Sequence, residues 1–156
     1  MSLNEYRFRN VWSLDIAATR VFDALVDVAR YPAWWPDVRS VSQVDDDTAE
    51  VTCRALLPYS LVFHMCRAEQ DEQSGRLRVD LTGDLEGHCQ GVVATQRPYW
   101  TRLEISQHVV VNKSLLRRLA PVARPLFQAN HAAMMWRGQR GLRRYLLASS
   151  SGSPWA

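Results

Sequence analysis

Apolar and polar residues alternate from Tyr6 to Ile16. Phe8, Trp12, Leu14 and Ile16 share one side with Asn10 among them, and Arg7, Arg9, Ser13 and Asp15 take the other. This period of two marks a strand with one wet face. From Ala18 to Val28 the period becomes helical through Val21, Phe22, Leu25 and Val28, with Thr19 placed to cap the start. Tyr31-Pro32-Ala33-Trp34-Trp35-Pro36 ends that helix, because its two prolines allow at most a short helical turn. Everything from Val38 to Val111 then reads as strands: Val38–Val44, Thr48–Leu57, Tyr59–Ala68, Arg76–Thr82, Glu86–Gln96 and Tyr99–Val111. Turns fall at Asp45-Asp46-Asp47, Pro58, Gln73-Ser74-Gly75 and Arg97-Pro98. The inward sets are Val51, Cys53, Ala55 and Leu57; Tyr59, Leu61, Phe63 and Met65; Leu77, Val79 and Leu81; and Leu103, Ile105, Gln107 and Val109. Short strands with tight turns imply an antiparallel meander.

The last long segment, Ser114–Leu147, is helical. Phe127, His131, Met134, Gly138, Gly141, Leu142 and Tyr145 recur on one face with Asn130 at its edge. Arg137, Arg140, Arg143 and Arg144 lie opposite, with Trp136 among them. Glycine inside a helix costs roughly 1 kcal/mol relative to alanine, so two on the inward stripe imply a cavity or a closely approaching sheet. Pro121 and Pro125 divide the segment into a short helix, Ser114–Ala120, and a main helix starting at Pro125. The fold class is α+β: a curved antiparallel sheet wrapped around a long C-terminal helix, with two short helices after the first strand. One domain spans residues 1–148, and the Ser-rich stretch 149–156 is expected to be a disordered tail.

At 156 residues a single domain can bury a substantial core. The net charge of +3 is small but uneven, acidic at Asp45–Asp47 and Glu69–Glu72 and basic on the last helix. A solvated helix face accounts for those arginines more simply than a nucleic-acid surface, so no nucleic-acid partner is expected. No stretch is apolar enough to span a bilayer, and the polar start at Met1–Asn10 is not a secretory signal. Cys53, Cys66 and Cys89 are odd in number and lack CxxC spacing, which argues against a disulfide framework and a zinc site. A cytoplasmic protein with neither metal nor cofactor is the expectation. No Walker loop, dinucleotide fingerprint, HExxH or GxSxG motif is present.

Several local runs resemble the START-like superfamily, also called SRPBCC or helix-grip proteins, and within it the polyketide cyclase/dehydrase-like family. They are Val21-Phe22-Asp23-Ala24-Leu25-Val26-Asp27, Tyr31-Pro32-Ala33-Trp34-Trp35-Pro36, Leu57-Pro58-Tyr59, Gly83-Asp84-Leu85-Glu86-Gly87, Leu119-Ala120-Pro121-Val122-Ala123-Arg124-Pro125, and Asn130-His131 followed by Met134 and Gly138. The likeness covers about residues 6–147. It implies a deep hydrophobic cavity between sheet and helix. Members bind lipids, polyketides, quinones, plant hormones or aromatic compounds, and some catalyse cyclisation. No single catalytic motif spans the superfamily, so the resemblance transfers no catalytic residue.

Strand alternation turns His64, His108 and His88 outward and leaves His131 facing the cavity. Two readings of it stand: an acid/base for a ligand carbonyl, or a buried histidine bonded to backbone or to Asn130. Trp34 and Trp35 either gate the mouth or staple their turn onto the sheet. Cys53 and Cys89, facing inward, read as small hydrophobes. Gln107 and Asn10 are inward amides that orient a ligand's polar group or satisfy each other. Gly87 and Gly91 mark bends or open volume. The candidate ligand-binding set is Trp12, Trp34, Trp35, Cys53, Phe63, Leu103, Gln107, Phe127, Asn130, His131 and Met134. The leading function is binding of a lipid-, polyketide- or aromatic-like small molecule. The first alternative is a polyketide cyclase/aromatase using His131 or Tyr145 as acid/base. The second is an interaction protein using the arginine-rich face, with Trp136 as the anchor of a homodimer contact.

Overall fold

The computed structural model describes residues 4–54, 60–112 and 120–151. Along the chain come β1 (Glu5–Leu14), α1 (Ala18–Val26), a 3-10 turn (Val28–Arg30), α2 (Tyr31–Trp34), β2 (Val38–Gln43), β3 (Thr48–Cys53), β4 (Leu61–Asp71), β5 (Arg76–Gly83), β6 (Leu85–Arg97), β7 (Trp100–Val111) and α3 (Ala120–Ser151). The seven strands form one sheet ordered β1-β7-β6-β5-β4-β3-β2, and every neighbouring pair is antiparallel. The expected α+β helix-grip architecture is therefore present. Register shifts at Val38/Ser40, Arg67/Glu69 and Thr95/Arg97 add the local bends that let a sheet curl. Gly87 serves a tight approach: it has φ 140°, and a Cβ there would sit 2.0 Å from the His108 carbonyl oxygen.

Among the described residues the inward alternation holds strand by strand; Ala55, Leu57 and Tyr59 of the expected inward sets lie outside them. In β1 Tyr6, Trp12 and Leu14 are buried between exposed Arg7, Arg9 and Ser13, and in β7 Thr101, Leu103, Ile105 and Val109 are buried. β1 ends at Leu14 rather than Ile16. Ile16 is still buried, and its carbonyl accepts a hydrogen bond from the Thr101 hydroxyl instead of a ladder bond. α1 stops at Val26 rather than Val28. Its N-cap is Ala17, without a side-chain cap, so Thr19 lies one position inside the helix and caps nothing.

Three expectations about the last helix change. α3 is already helical at Ala120, and Pro125 lies inside it rather than starting it. A proline this near the beginning removes one ladder donor from the first turns. The helix also continues to Ser151, three residues into the segment expected to be disordered. The short helix expected over Ser114–Ala120, apart from Ala120 itself, and the Leu57-Pro58-Tyr59 break lie outside the described residues, as do residues 152–156.

The backbone of α3 comes nearest to α2 and β1. Its two glycines explain how. A Cβ on Gly141 would sit 1.8 Å from the Trp34 carbonyl oxygen, and one on Gly138 would sit 2.7 Å from the Trp35 ring and 2.9 Å from Trp12. Gly141 admits the backbone of the tryptophan turn, and Gly138 admits Trp35 together with Trp12 of the sheet. Trp35 Nε1 donates to the Met134 carbonyl at 2.9 Å across that contact, while Trp34 Nε1 is buried with no hydrogen-bond partner among the described residues. Polar ties fasten the same region. Arg137 makes a two-pronged pair with buried Asp37 (2.9 and 2.8 Å), Arg143 does the same with Asp15 (2.8 and 2.9 Å), and Arg20 donates to the Leu146 carbonyl at 2.6 Å. Two arginines of the supposedly solvated face are thus structural, whereas Arg140 lies over the exposed Trp136 ring.

Alanine normally stabilises a helix where it replaces glycine, by about 1 kcal/mol. Here the sign should reverse. Gly141→Ala is expected to destabilise by about 3 kcal/mol or more, because rigid backbone must move to accept the methyl group. Gly138→Ala should cost less, because ring atoms rather than a carbonyl give way. Chemical denaturation of both variants measures the order.

Candidate functional site

Between the concave face of the sheet and α3 lies a cavity of about 430 Å³. Each wall follows from the alternation already described. β1 supplies Phe8 and Trp12; β3 and β4 supply Val51, Cys53, Phe63 and Met65; β5 supplies Leu77, Val79 and Leu81; β6 and β7 supply Cys89, Leu103, Ile105 and Gln107. α3 closes it with Phe127, Asn130, His131, Met134 and Met135, and Tyr31 and Trp35 close the end under α2. The mouth is polar. Asp27 beside the 3-10 turn, Asp45–Asp47 of the β2–β3 turn, Arg67 and Glu69 of β4, and Arg78 of β5 surround it.

Ten of the residues expected to meet a ligand come together here: Trp12, Trp35, Cys53, Phe63, Leu103, Gln107, Phe127, Asn130, His131 and Met134. Trp34 does not reach the lining; its buried indole stacks on Trp35 (5.4 Å between ring centres) and tilts against Tyr31. Of the two tryptophans, Trp34 staples and Trp35 walls. Tyr145 also lies outside the lining, further along α3. Asn10 faces inward but stops short of the cavity, while Gly91 contributes open space to its wall. His64 and His108 stand on the outer face beside Glu50 (3.5 Å) and Glu5 (3.3 Å), and His88 packs edge-on against His108.

His131 is the polar centre. Its ring stacks on Phe8 with centres 3.6 Å apart and planes 7° from parallel, and its Nε2 hydrogen-bonds Gln107 Oε1. Gln107 Nε2 in turn donates to Cys89 Sγ at 3.6 Å. Register makes this arrangement: Phe8 pairs with Gln107 and Gln107 with Cys89, so the three form one row across β1, β7 and β6 under the histidine. Periodicity had placed Gln107, Cys89 and His131 inward but could not show that they would meet. Burial pushes the His131 pKa down to about 4, so the imidazole is neutral near pH 7. Burial raises the Cys89 thiol to about 11 and the Cys53 thiol to about 12, so neither is a thiolate, and it also lifts the Tyr31 phenol. Tyr31 donates to the Leu25 carbonyl at 2.6 Å. Asn130, buried, reaches Met134 Sδ at 3.7 Å.

A curved antiparallel sheet closed by one long helix over an apolar cavity defines a START-like, helix-grip protein. Residues 14–135 match the model of the polyketide cyclase/dehydrase and lipid transport family, and the chain belongs to that family. Solved structures share the fold at low identity. The ZhuI aromatase/cyclase from Streptomyces sp. R1128 is 11% identical over 90% of this chain and 93% of its own, with a TM-score of 0.77. A protein from Thermus thermophilus is 16% identical over 93% and 99%, with a TM-score of 0.80. A START superfamily protein from Mycobacterium smegmatis is 15% identical over 89% and 95%, with a TM-score of 0.73. No curated protein matches the chain by sequence. Among the described residues no helix is long and apolar enough to cross a membrane.

The depressed pKa of His131 makes stability depend on pH. The unfolded chain takes up this proton near pH ~6.5 and the folded chain only near about 4, so between those values the unfolded state binds more protons. The contribution is complete above about pH 6.5 and is lost as pH falls toward 4. Denaturation midpoints should therefore drop across that window, by up to about 3 kcal/mol from this residue. His131→Phe should flatten the drop, which parallel titrations of both proteins would measure.

Proposed function

We propose that the protein binds a hydrophobic small molecule, lipid-, polyketide- or aromatic-like, in this cavity. The observation that carries the reading is the space itself. It holds about 430 Å³, has predominantly apolar walls with a few convergent polar groups, and opens through a polar mouth. Those are the attributes of a small-molecule site, whose volumes run from about 300 to 1,000 Å³. Apolar burial contributes roughly 25 cal/mol per Å² before ordering costs, and Gln107, Asn130 and His131 supply direction. Free Cys53, Cys66 and Cys89 suit the reducing cytoplasm.

A cyclase reading has less support. A neutral imidazole with its pKa near 4 is a weak base at pH 7, its partner is an amide rather than a carboxylate, and Tyr145 stands outside the cavity. The aromatase/cyclase likeness supports the fold and leaves the chemistry open. Binding to nucleic acid has little to rest on, since Arg137 and Arg143 are held in carboxylate pairs.

Titration with a neutral apolar dye such as Nile red tests the proposal. Saturable one-to-one binding is expected. Val79→Phe, which puts a ring into the space, should weaken it about tenfold or more while the melting temperature stays within a few degrees. No saturable binding by the folded wild type, or unaltered affinity in Val79→Phe, would sink it.

A further inference from the structure

We propose that His131 makes the cavity selective for neutral hydrophobic ligands bearing a hydroxyl group, with its Nδ1 accepting the hydroxyl's hydrogen bond. The inference rests on the binding role proposed above and specifies the ligand for the same site.

The argument starts from how firmly the ring is held. Phe8 covers one face, and Gln107 fixes the orientation through Nε2. In this arrangement Gln107 Nε2 lies on Cys89 Sγ at 3.6 Å, and Oε1 is turned toward the histidine. A carbonyl oxygen only accepts, so His131 Nε2 must carry the proton. Nδ1 of the neutral ring therefore keeps its lone pair. Among the described residues nothing donates to it. Nδ1 is not among the buried side-chain atoms left without a partner, so in the empty site water reaches it and satisfies its lone pair. A ligand hydroxyl can replace that water. An ether or methyl group of the same shape displaces the water and leaves the acceptor bare.

Charge narrows the ligand further. Among the described residues no lysine or arginine lines the interior. The two arginines of the lining stand at the mouth, where Arg67 faces Asp47 at 3.5 Å and Arg78 faces Asp80 at 3.6 Å. A carboxylate entering this space would lose its hydration and find neither a counter-charge nor a donor at Nδ1. Acceptor-only anions are thus disfavoured twice, by burial and by lone-pair repulsion.

Three probes of nearly equal size separate the possibilities: 2-naphthol, 2-methoxynaphthalene and 2-naphthoate, titrated calorimetrically into the wild type and into His131→Phe. The wild type should bind 2-naphthol about tenfold more tightly than the ether, the range expected of one well-placed neutral hydrogen bond, and the carboxylate most weakly. In His131→Phe, which retains the stack on Phe8, the naphthol and ether affinities should converge. Nitrogen NMR of the wild type gives a readout that a merely structural histidine would not move. Its Nδ1 resonance should be that of an unprotonated nitrogen and should shift when 2-naphthol binds but not when the ether does. Equal wild-type affinities for naphthol and ether, or a proton found on Nδ1, would overturn this inference and leave the binding role standing. Failure of all three probes and of the apolar dye to bind would overturn both. Should His131→Phe not fold, the wild-type ratio and the NMR shift decide alone.

Discussion

The approach of the Trp34 carbonyl and the Trp35 ring to Gly141 and Gly138 sets the spacing on which the rest of the molecule depends. At that end α3 is pressed onto α2, and nothing larger than a hydrogen fits between them. Nearer its N-terminal end the helix is held differently. Tyr6 packs on Phe127 with ring centres 4.5 Å apart, Arg124 lies over Tyr6 at 4.5 Å, and its guanidinium donates to the Glu5 carbonyl. Between these supports the helix bridges the concave sheet without filling it. A dry void of 430 Å³ would cost on the order of 10 kcal/mol by the cavity relation, about the whole net stability of a domain. The space persists because rigid contacts prop it at both ends and because its open mouth admits water or ligand.

Much of this was legible in the chain. Period-two alternation identified the strands and their inward residues, since a sheet packed on one side has no other way to bury apolar surface. The glycines announced a cavity or a closely approaching sheet; Gly138 does meet Trp12 of the sheet and the cavity-lining Trp35, but the backbone pressed on Gly141 is that of a four-residue helix. Spacing within one helix carries no information about its partner. The boundaries at Thr19 and Pro125 failed for a related reason. Capping and breaking preferences of about 1–3 kcal/mol are overridden when tertiary contacts hold the backbone helical.

The site was legible residue by residue and illegible as a constellation. Helical spacing turned His131 inward, and strand alternation turned Gln107 and Cys89 inward. Their union depends on the register of β1, β7 and β6, which no local pattern specifies. Asp37 shows the same gap more sharply. It follows a Trp-Trp-Pro turn and no pattern along the chain singles it out, yet it is buried, and Arg137, 100 residues later, reaches it with two hydrogen bonds. Desolvating such a carboxylate is tolerable only with a well-aligned partner, and losing that partner typically costs about 3–5 kcal/mol. An arginine stripe that resembled a binding surface is in part the clamp that joins helix to turn.

The balance between binding and catalysis follows from the dielectric of the cavity. General acid/base catalysis at neutral pH works best when the group's pKa lies near the ambient pH, which for a buried histidine requires a carboxylate or similar partner to offset desolvation. Gln107 provides orientation without charge, so burial dominates and the imidazole stays neutral. On the binding role proposed above, the same choice strengthens recognition. A neutral ring held by a stack and one hydrogen bond presents a fixed acceptor whose direction does not change across the physiological pH range. An amide in place of a carboxylate thus removes the proton-transfer advantage of His131 while preserving its geometry, which is the combination expected of a residue that reads a ligand rather than transforms it.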